Sequence, residues 1–167
     1  MNEKRVIGVD LGGTKILAGV VDPEGHVEKR REHATPTASQ DELLTGLDEA
    51  VEELLTDEIA AVGFGLPSPI DQRSGQALQA VNIPLQDIDF RTRMKERFGL
   101  PVGIENDANA ATYAEFRFGA SRDVDTTIML TLGTCCGGGA VVDGKLFRGW
   151  AEFGHIVIEY DGLPSPK

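Results

Sequence analysis

The sequence predicts an α/β fold, and three observations carry that expectation. Apolar runs rich in β-branched residues alternate with stretches in which apolar residues recur at helical spacing. Glycine, proline and Asp-Gly signals punctuate the ends of those runs. The 167 residues, 41% of them hydrophobic, make one domain and a little more, and a chain of this size buries roughly 70% of its unfolded surface without needing staples.

Arg5 to Asp10 and Ile16 to Asp22 are the first two strands. They are separated by Leu11, Gly12, Gly13, Thr14 and Lys15, and the turn Pro23-Glu24-Gly25 closes the second. No room is left for a helix straight after the glycines, which both the dinucleotide fingerprint and the GxxxxGK[ST] phosphate loop require. Val27 to Ala34 alternates as a third strand, and Glu28, Lys29, Arg30 and Arg31 place it at an exposed edge.

Ser39-Gln40-Asp41-Glu42 has the form of a capping box. Leu43, Leu47, Val51 and Leu54 follow at helical spacing, so a helix is expected from Asp41 to Thr56. Ile59 to Leu66 reads as a buried strand that ends in a loop between Pro67 and Gly75. A second helix is expected over Phe90 to Phe98, stopped by Gly99 and Pro101. Val102 to Glu105 then forms a strand leading into Asn106 and Asp107, and a third helix spans Ala108 to Phe118. Thr126 to Leu132 and the run through Ala140-Val141-Val142 are further strands, with Asp143-Gly144 as a tight hairpin turn before Lys145.

The chain carries 27 acidic and 16 basic side chains, a net charge of −11. That balance opposes binding to nucleic acid or to an anionic membrane surface. No targeting segment or membrane-spanning run is visible. The two cysteines, Cys135 and Cys136, are sequence neighbours, too close for ordinary disulfide geometry. A reducing, cytoplasmic setting is the expectation.

Several residues are candidates for chemistry. Asp10 stands at a strand end beside a turn whose glycine amides can approach an anion, with Lys15 next to it; an ordinary Gly-Gly hairpin is the alternative. Leu132-Gly133-Thr134 repeats the Leu11-Gly12-Gly13-Thr14 pattern, with chance similarity of two hairpins as the alternative, and Gly133 to Gly139 offers a second set of amides. Two such turns facing each other can hold a nucleotide's terminal phosphates, with Asp10 orienting Mg²⁺ through water. Asp107 is a candidate general base or, alternatively, a helix N-cap. Glu152 and His155 bring a carboxylate and an imidazole together, fit for sugar hydroxyls or a metal.

Taken together, Val9-Asp10-Leu11-Gly12-Gly13-Thr14-Lys15, Gly63-Phe64-Gly65-Leu66-Pro67, Glu105-Asn106-Asp107-Ala108-Asn109-Ala110, Leu132-Gly133-Thr134 with Gly137-Gly138-Gly139, and Glu152-Phe153-Gly154-His155 closely resemble the ROK family of bacterial sugar kinases and repressors, on its glucokinase-like side. The resemblance implies an actin-like ATPase (ribonuclease H-like) fold, with the first lobe over residues 1–121 and the beginning of a second over 122–167. It implies ATP-dependent phosphorylation of a hexose, glucose to glucose 6-phosphate, with ATP and Mg²⁺ required. Asp107 would be the catalytic base, and Asn106, Gly65, Glu152 and His155 would bind the sugar. Asp10, Gly12, Gly13, Thr14, Lys15, Gly133 and Thr134 would serve the nucleotide, Asp10 lying near Mg²⁺.

The sequence departs from the family pattern in four places. Cys135 stands where the family has glycine, Ser68 replaces a glycine of the sugar loop, and the stretch from Gly149 to Glu152 is short. The chain stops at Lys167, before the cysteine-rich zinc motif, so His155 lacks the partners with which the family binds zinc. A non-catalytic sugar-binding or regulatory protein is the rival expectation, and a homo-oligomer that completes the second lobe is an open alternative.

Overall fold

The computed structural model describes residues 4–132, 136–149, 153, 156, 157 and 159–162. The chain forms two compact units, Met1–Asp107 and Ala108–Lys167. The first runs β1 (Arg5–Leu11), β2 (Lys15–Val21), β3 (Val27–Ala34), α1 (Gln40–Glu52), β4 (Ile59–Leu66), β5 (Ile70–Asp71), β6 (Gln76–Ala77), β7 (Ile88–Asp89), α2 (Phe90–Phe98) and β8 (Val102–Asn106).

Five strands form one sheet in the order β3-β2-β1-β4-β8. The tight turns after β1 and β2 make those pairings antiparallel, whereas β4 runs parallel to both β1 and β8. Parallel neighbours need long crossovers, and α1 and α2 lie in them.

Strand periodicity sorts the side chains by face. Ile7, Val9 and Leu11 of β1, Ile16, Ala18 and Val20 of β2, Val62, Phe64 and Leu66 of β4 and Ile104 of β8 are all buried. They line up in register across the sheet, for example Val9 with Ala18 and with Phe64, and Phe64 with Ile104. Leu43, Leu44, Leu47, Ala50 and Val51 of α1 and Phe90 and Met94 of α2 complete this core. Phe90 meets Phe64 edge-on, with ring centroids 5.1 Å apart, a geometry that satisfies the ring quadrupoles.

The alternate residues face the other way. Gly19, Gly8, Gly63 and Gly103 form a row without side chains across β2, β1, β4 and β8. The next row toward the strand ends is Leu17, Asp10, Gly65 and Glu105.

The helices are capped and clamped. The Ser39 side chain accepts from the Glu42 N–H at 3.2 Å, and Asp89 accepts from Thr92 N–H at 3.1 Å. Gly99, at φ 65°, turns left-handed to close α2. Arg93 grips the largely buried Asp48 of α1 with two bonds of 2.8 Å, and Arg97 adds a third at 3.2 Å. This fork locks α2 to α1.

Two expectations need correction. The first helix ends at Glu52 rather than Thr56, because the chain tightens into i→i+3 bonds, Leu54 N–H to Val51 O and Leu55 N–H to Glu52 O. Leu54 still reaches the core from that turn. The segment after Leu66 is not a plain loop: β5, β6 and β7 form a small antiparallel sheet. Ser68, the departure from the family pattern, is 1% exposed and fastens this segment, its hydroxyl bonding the carbonyls of Leu78 at 2.9 Å and Pro69 at 3.0 Å.

The second unit contains most of α3 (Asp107–Phe118), followed by β9 (Thr127–Leu132), β10 (Cys136–Val142) and β11 (Lys145–Leu146), in an antiparallel sheet ordered β11-β10-β9. Asp143 and Gly144 both have positive φ, 49° and 74°, as the expected tight hairpin requires. A Cβ on Gly139 would sit 2.4 Å from Thr112 Oγ1, so glycine is needed for β10 to approach α3. Gly137, Gly138 and Gly139 are paired in register with Thr131, Leu130 and Met129. The part of the expected second glycine turn that is described, from residue 136 on, is thus strand, and Gly133 and Thr134 lie outside the described residues.

Candidate active site

The candidate site of the first unit lies at the C-terminal ends of β1, β4 and β8. Asp10, Gly65 and Glu105 are register neighbours there. Adjacent strands lie about 4.8 Å apart, so the Asp10 and Glu105 backbones are roughly 10 Å apart. The intervening Gly65 has no side chain to fill the gap. β8 passes directly into α3, so Asn106 ends the strand and Asp107 opens the helix. Asp107 stands in the first turn of the helix.

The β1–β2 turn is built tightly. Gly12 N–H donates to Lys15 O at 2.9 Å, and a Cβ on Gly12 would lie 3.1 Å from that same oxygen. Thr35, just beyond β3 and almost fully buried, braces the turn from behind. Its hydroxyl donates to Gly12 O at 2.8 Å and its N–H donates to Thr14 O at 3.0 Å. Asn82 lies near the turn, its Cβ 3.8 Å from where a Gly13 Cβ would be. Lys15 pairs with Glu32 at 3.6 Å across an exposed surface, an arrangement weak enough to exchange for another anion.

Electrostatics link the two aspartates. Asp10 is solvent-accessible, yet the protein around it displaces enough water to raise its pKa above the ordinary carboxylate value. The negative charge of Asp107 raises it further, and Lys15 partly offsets both. A carboxylate disfavoured by burial and by a second carboxylate is a donor set suited to a hard dication such as Mg²⁺.

Asp10, Gly12, Gly13, Thr14, Lys15, Gly65, Asn106 and Asp107 are thus all placed by the ends of β1, β4 and β8 and by the β1–β2 turn. Gly133, Thr134, Glu152 and His155 lie outside the described residues, as does Cys135. Among the described residues no group of three or more His, Cys, Asp or Glu side chains is arranged to hold a metal ion, so no zinc site is derived. No helix among them is long and apolar enough to cross a membrane. Thr35 and Asn82 were not visible as site residues in the sequence. Thr35 lies 23 residues beyond the glycine whose carbonyl it bonds, and Asn82 is further still along the chain.

A sheet ordered β3-β2-β1-β4-β8, with acids at its strand ends and a glycine turn between its first two strands, defines a lobe of the actin-like ATPase fold. Solved structures agree. The ROK family glucokinase from Streptomyces griseus, in complex with glucose and AMPPNP, superimposes with a TM-score of 0.85 at 42% identity, covering 95% of this chain and 52% of that one. The ROK hexokinase from Thermus thermophilus gives a TM-score of 0.82 at 37% identity, over 96% and 56%.

The chain belongs to the ROK family, whose sequence profile matches residues 6–165. It is 41% identical over 162 residues to the glucokinase of Streptomyces coelicolor, covering 94% of this chain and 51% of that protein. The chain thus spans about half the length of the curated relatives it matches.

Proposed function

We propose that the chain is the sugar- and phosphate-binding part of an ATP-dependent hexose kinase, with glucose as the substrate. The observation that supports this most is the placement of two acids from distant parts of the sequence, Asp10 at the end of β1 and Asp107 just past the end of β8, at the same end of the parallel strands and beside a glycine turn that Thr35 braces.

Asp107 accepts the proton of the sugar's primary hydroxyl as that oxygen bonds to the γ-phosphorus and the bond from phosphorus to the β-phosphate oxygen breaks, releasing ADP. Asn106 and the open backbone at Gly65 orient the sugar, so that the hydroxyl points in line. Gly12, Gly13 and Thr14 receive the phosphate tail, and Lys15 lends positive charge. Asp10 would hold Mg²⁺, which would supply charge neutralisation on the phosphates. Phosphoryl transfer depends mainly on positioning and electrostatic stabilisation, which these residues provide in kind.

Coupled ADP release with glucose, run beside calorimetry with glucose alone, tests the reading. Glucose-dependent ADP release is the expected result. Heat of glucose binding without turnover would favour a non-catalytic sugar-binding role, and absence of both would overturn the proposal.

A further inference from the structure

Gln72, in the short connection between β5 and β6, donates from Nε2 to the backbone carbonyl of Ile104 at 3.1 Å. β8 is the last strand of the five-stranded sheet, so alternate carbonyls along it point away from β4 with no strand to receive them. Gln72 supplies the missing donor just before Glu105, Asn106 and Asp107.

The amide is itself held in one orientation. Arg91 of α2 donates from Nη2 to Gln72 Oε1 and from Nη1 to Gln72 O, both at 3.1 Å. A flipped amide would set N–H against guanidinium and oxygen against carbonyl, so only one orientation satisfies both neighbours. Gly75 makes the approach feasible. It sits at φ 83°, where a Cβ would meet Arg91 Cβ at 2.7 Å, and its carbonyl accepts from Arg91 N–H at 3.1 Å.

From this chain of contacts we infer that Gln72 is a positioning residue for Asp107: clamped by Arg91, it fixes the edge strand that delivers the acid to the sugar hydroxyl. The inference rests on the proposed role of Asp107. It extends that role to a residue which touches neither sugar nor phosphate.

Gln72→Glu separates positioning from general stability. It keeps the side-chain shape and the contact with Arg91 but replaces the donor facing Ile104 O by an acceptor. Thermal unfolding, amide hydrogen exchange and backbone chemical shifts by NMR, and glucose-dependent ADP release are measured on this variant and on Gly75→Ala, which displaces Arg91. The expected result is faster exchange and shifted amide signals at Glu105, Asn106 and Asp107, with β1 to β3 unchanged. Turnover falls between about tenfold and a hundredfold in kcat, as a misplaced catalytic group allows, with little change in KM.

Unchanged signals at residues 105–107, or changes spread evenly through the sheet, would overturn the inference. So would altered signals with kcat intact. If the wild-type chain shows no glucose-dependent release, the kinase reading fails and the positioning of a base fails with it. The amide signals then show separately whether Gln72 holds the strand.

Discussion

Thr35→Val removes one hydroxyl and keeps the shape of the residue behind the glycine turn. In the wild type that hydroxyl donates to Gly12 O at 2.8 Å from a residue only 9% exposed. Valine leaves the carbonyl without its donor at a site that water reaches poorly, a loss of about 1–2 kcal/mol. For a chain of this size each kcal/mol lowers Tm by roughly 2–4 °C. The urea midpoint should fall with the slope unchanged, because the exposed surface on unfolding stays the same. Thr35→Ser retains the hydroxyl and loses one buried methyl, about 0.8 kcal/mol by area. If the hydroxyl holds the turn, the valine protein also binds an ATP analogue more weakly, and the serine protein does not. A valine variant as stable and as competent in binding as the wild type would refute the reasoning.

Asp10 ionises less readily in the folded chain than in the unfolded one, so its charge costs stability above the folded-state pKa, and that cost disappears as the pH falls below the unfolded value. Asp10→Asn is therefore more stable than the wild type at neutral pH, and melting curves from neutral to acidic pH should show the advantage shrinking to nothing while Mg²⁺-dependent activity is lost at every pH. Gly12→Ala pushes a methyl to 3.1 Å from Lys15 O; titration with an ATP analogue should show weakened binding while glucose binding stays the same. Asp48→Ala removes the anchor that Arg93 and Arg97 share while both arginines stay partly solvated and Arg97 keeps Glu52, and chemical unfolding should register a loss of about 1–2 kcal/mol.

Much of the fold was legible because its signals are local. The glycines and short spacing between β1 and β2 forced a hairpin, and Gly99 marked the end of α2 at the residue where the left-handed turn occurs. Asp10 could be singled out because it ends a strand-like run before the glycines, and Asp107 because it follows one where a helix begins. What escaped has physical reasons. β5, β6 and β7 are two residues each, too short for a period of two to register. Thr35 and Gln72 act through single hydrogen bonds to carbonyls that are distant in sequence, and nothing in their own neighbours announces those partners. The end of α1 is hidden in the sequence because Leu54 keeps the helical apolar spacing while the backbone has already tightened.

The central claim is that Asp107 removes the proton from the sugar, and Asp107→Asn tests it directly when glucose affinity and ADP release are measured on the same preparation. The amide keeps the shape and the hydrogen-bonding reach but cannot act as the base, so turnover should fall by about 10²–10⁴-fold while glucose affinity changes little. Turnover that survives the substitution, or that is lost only in proportion to lost glucose binding, would contradict the account.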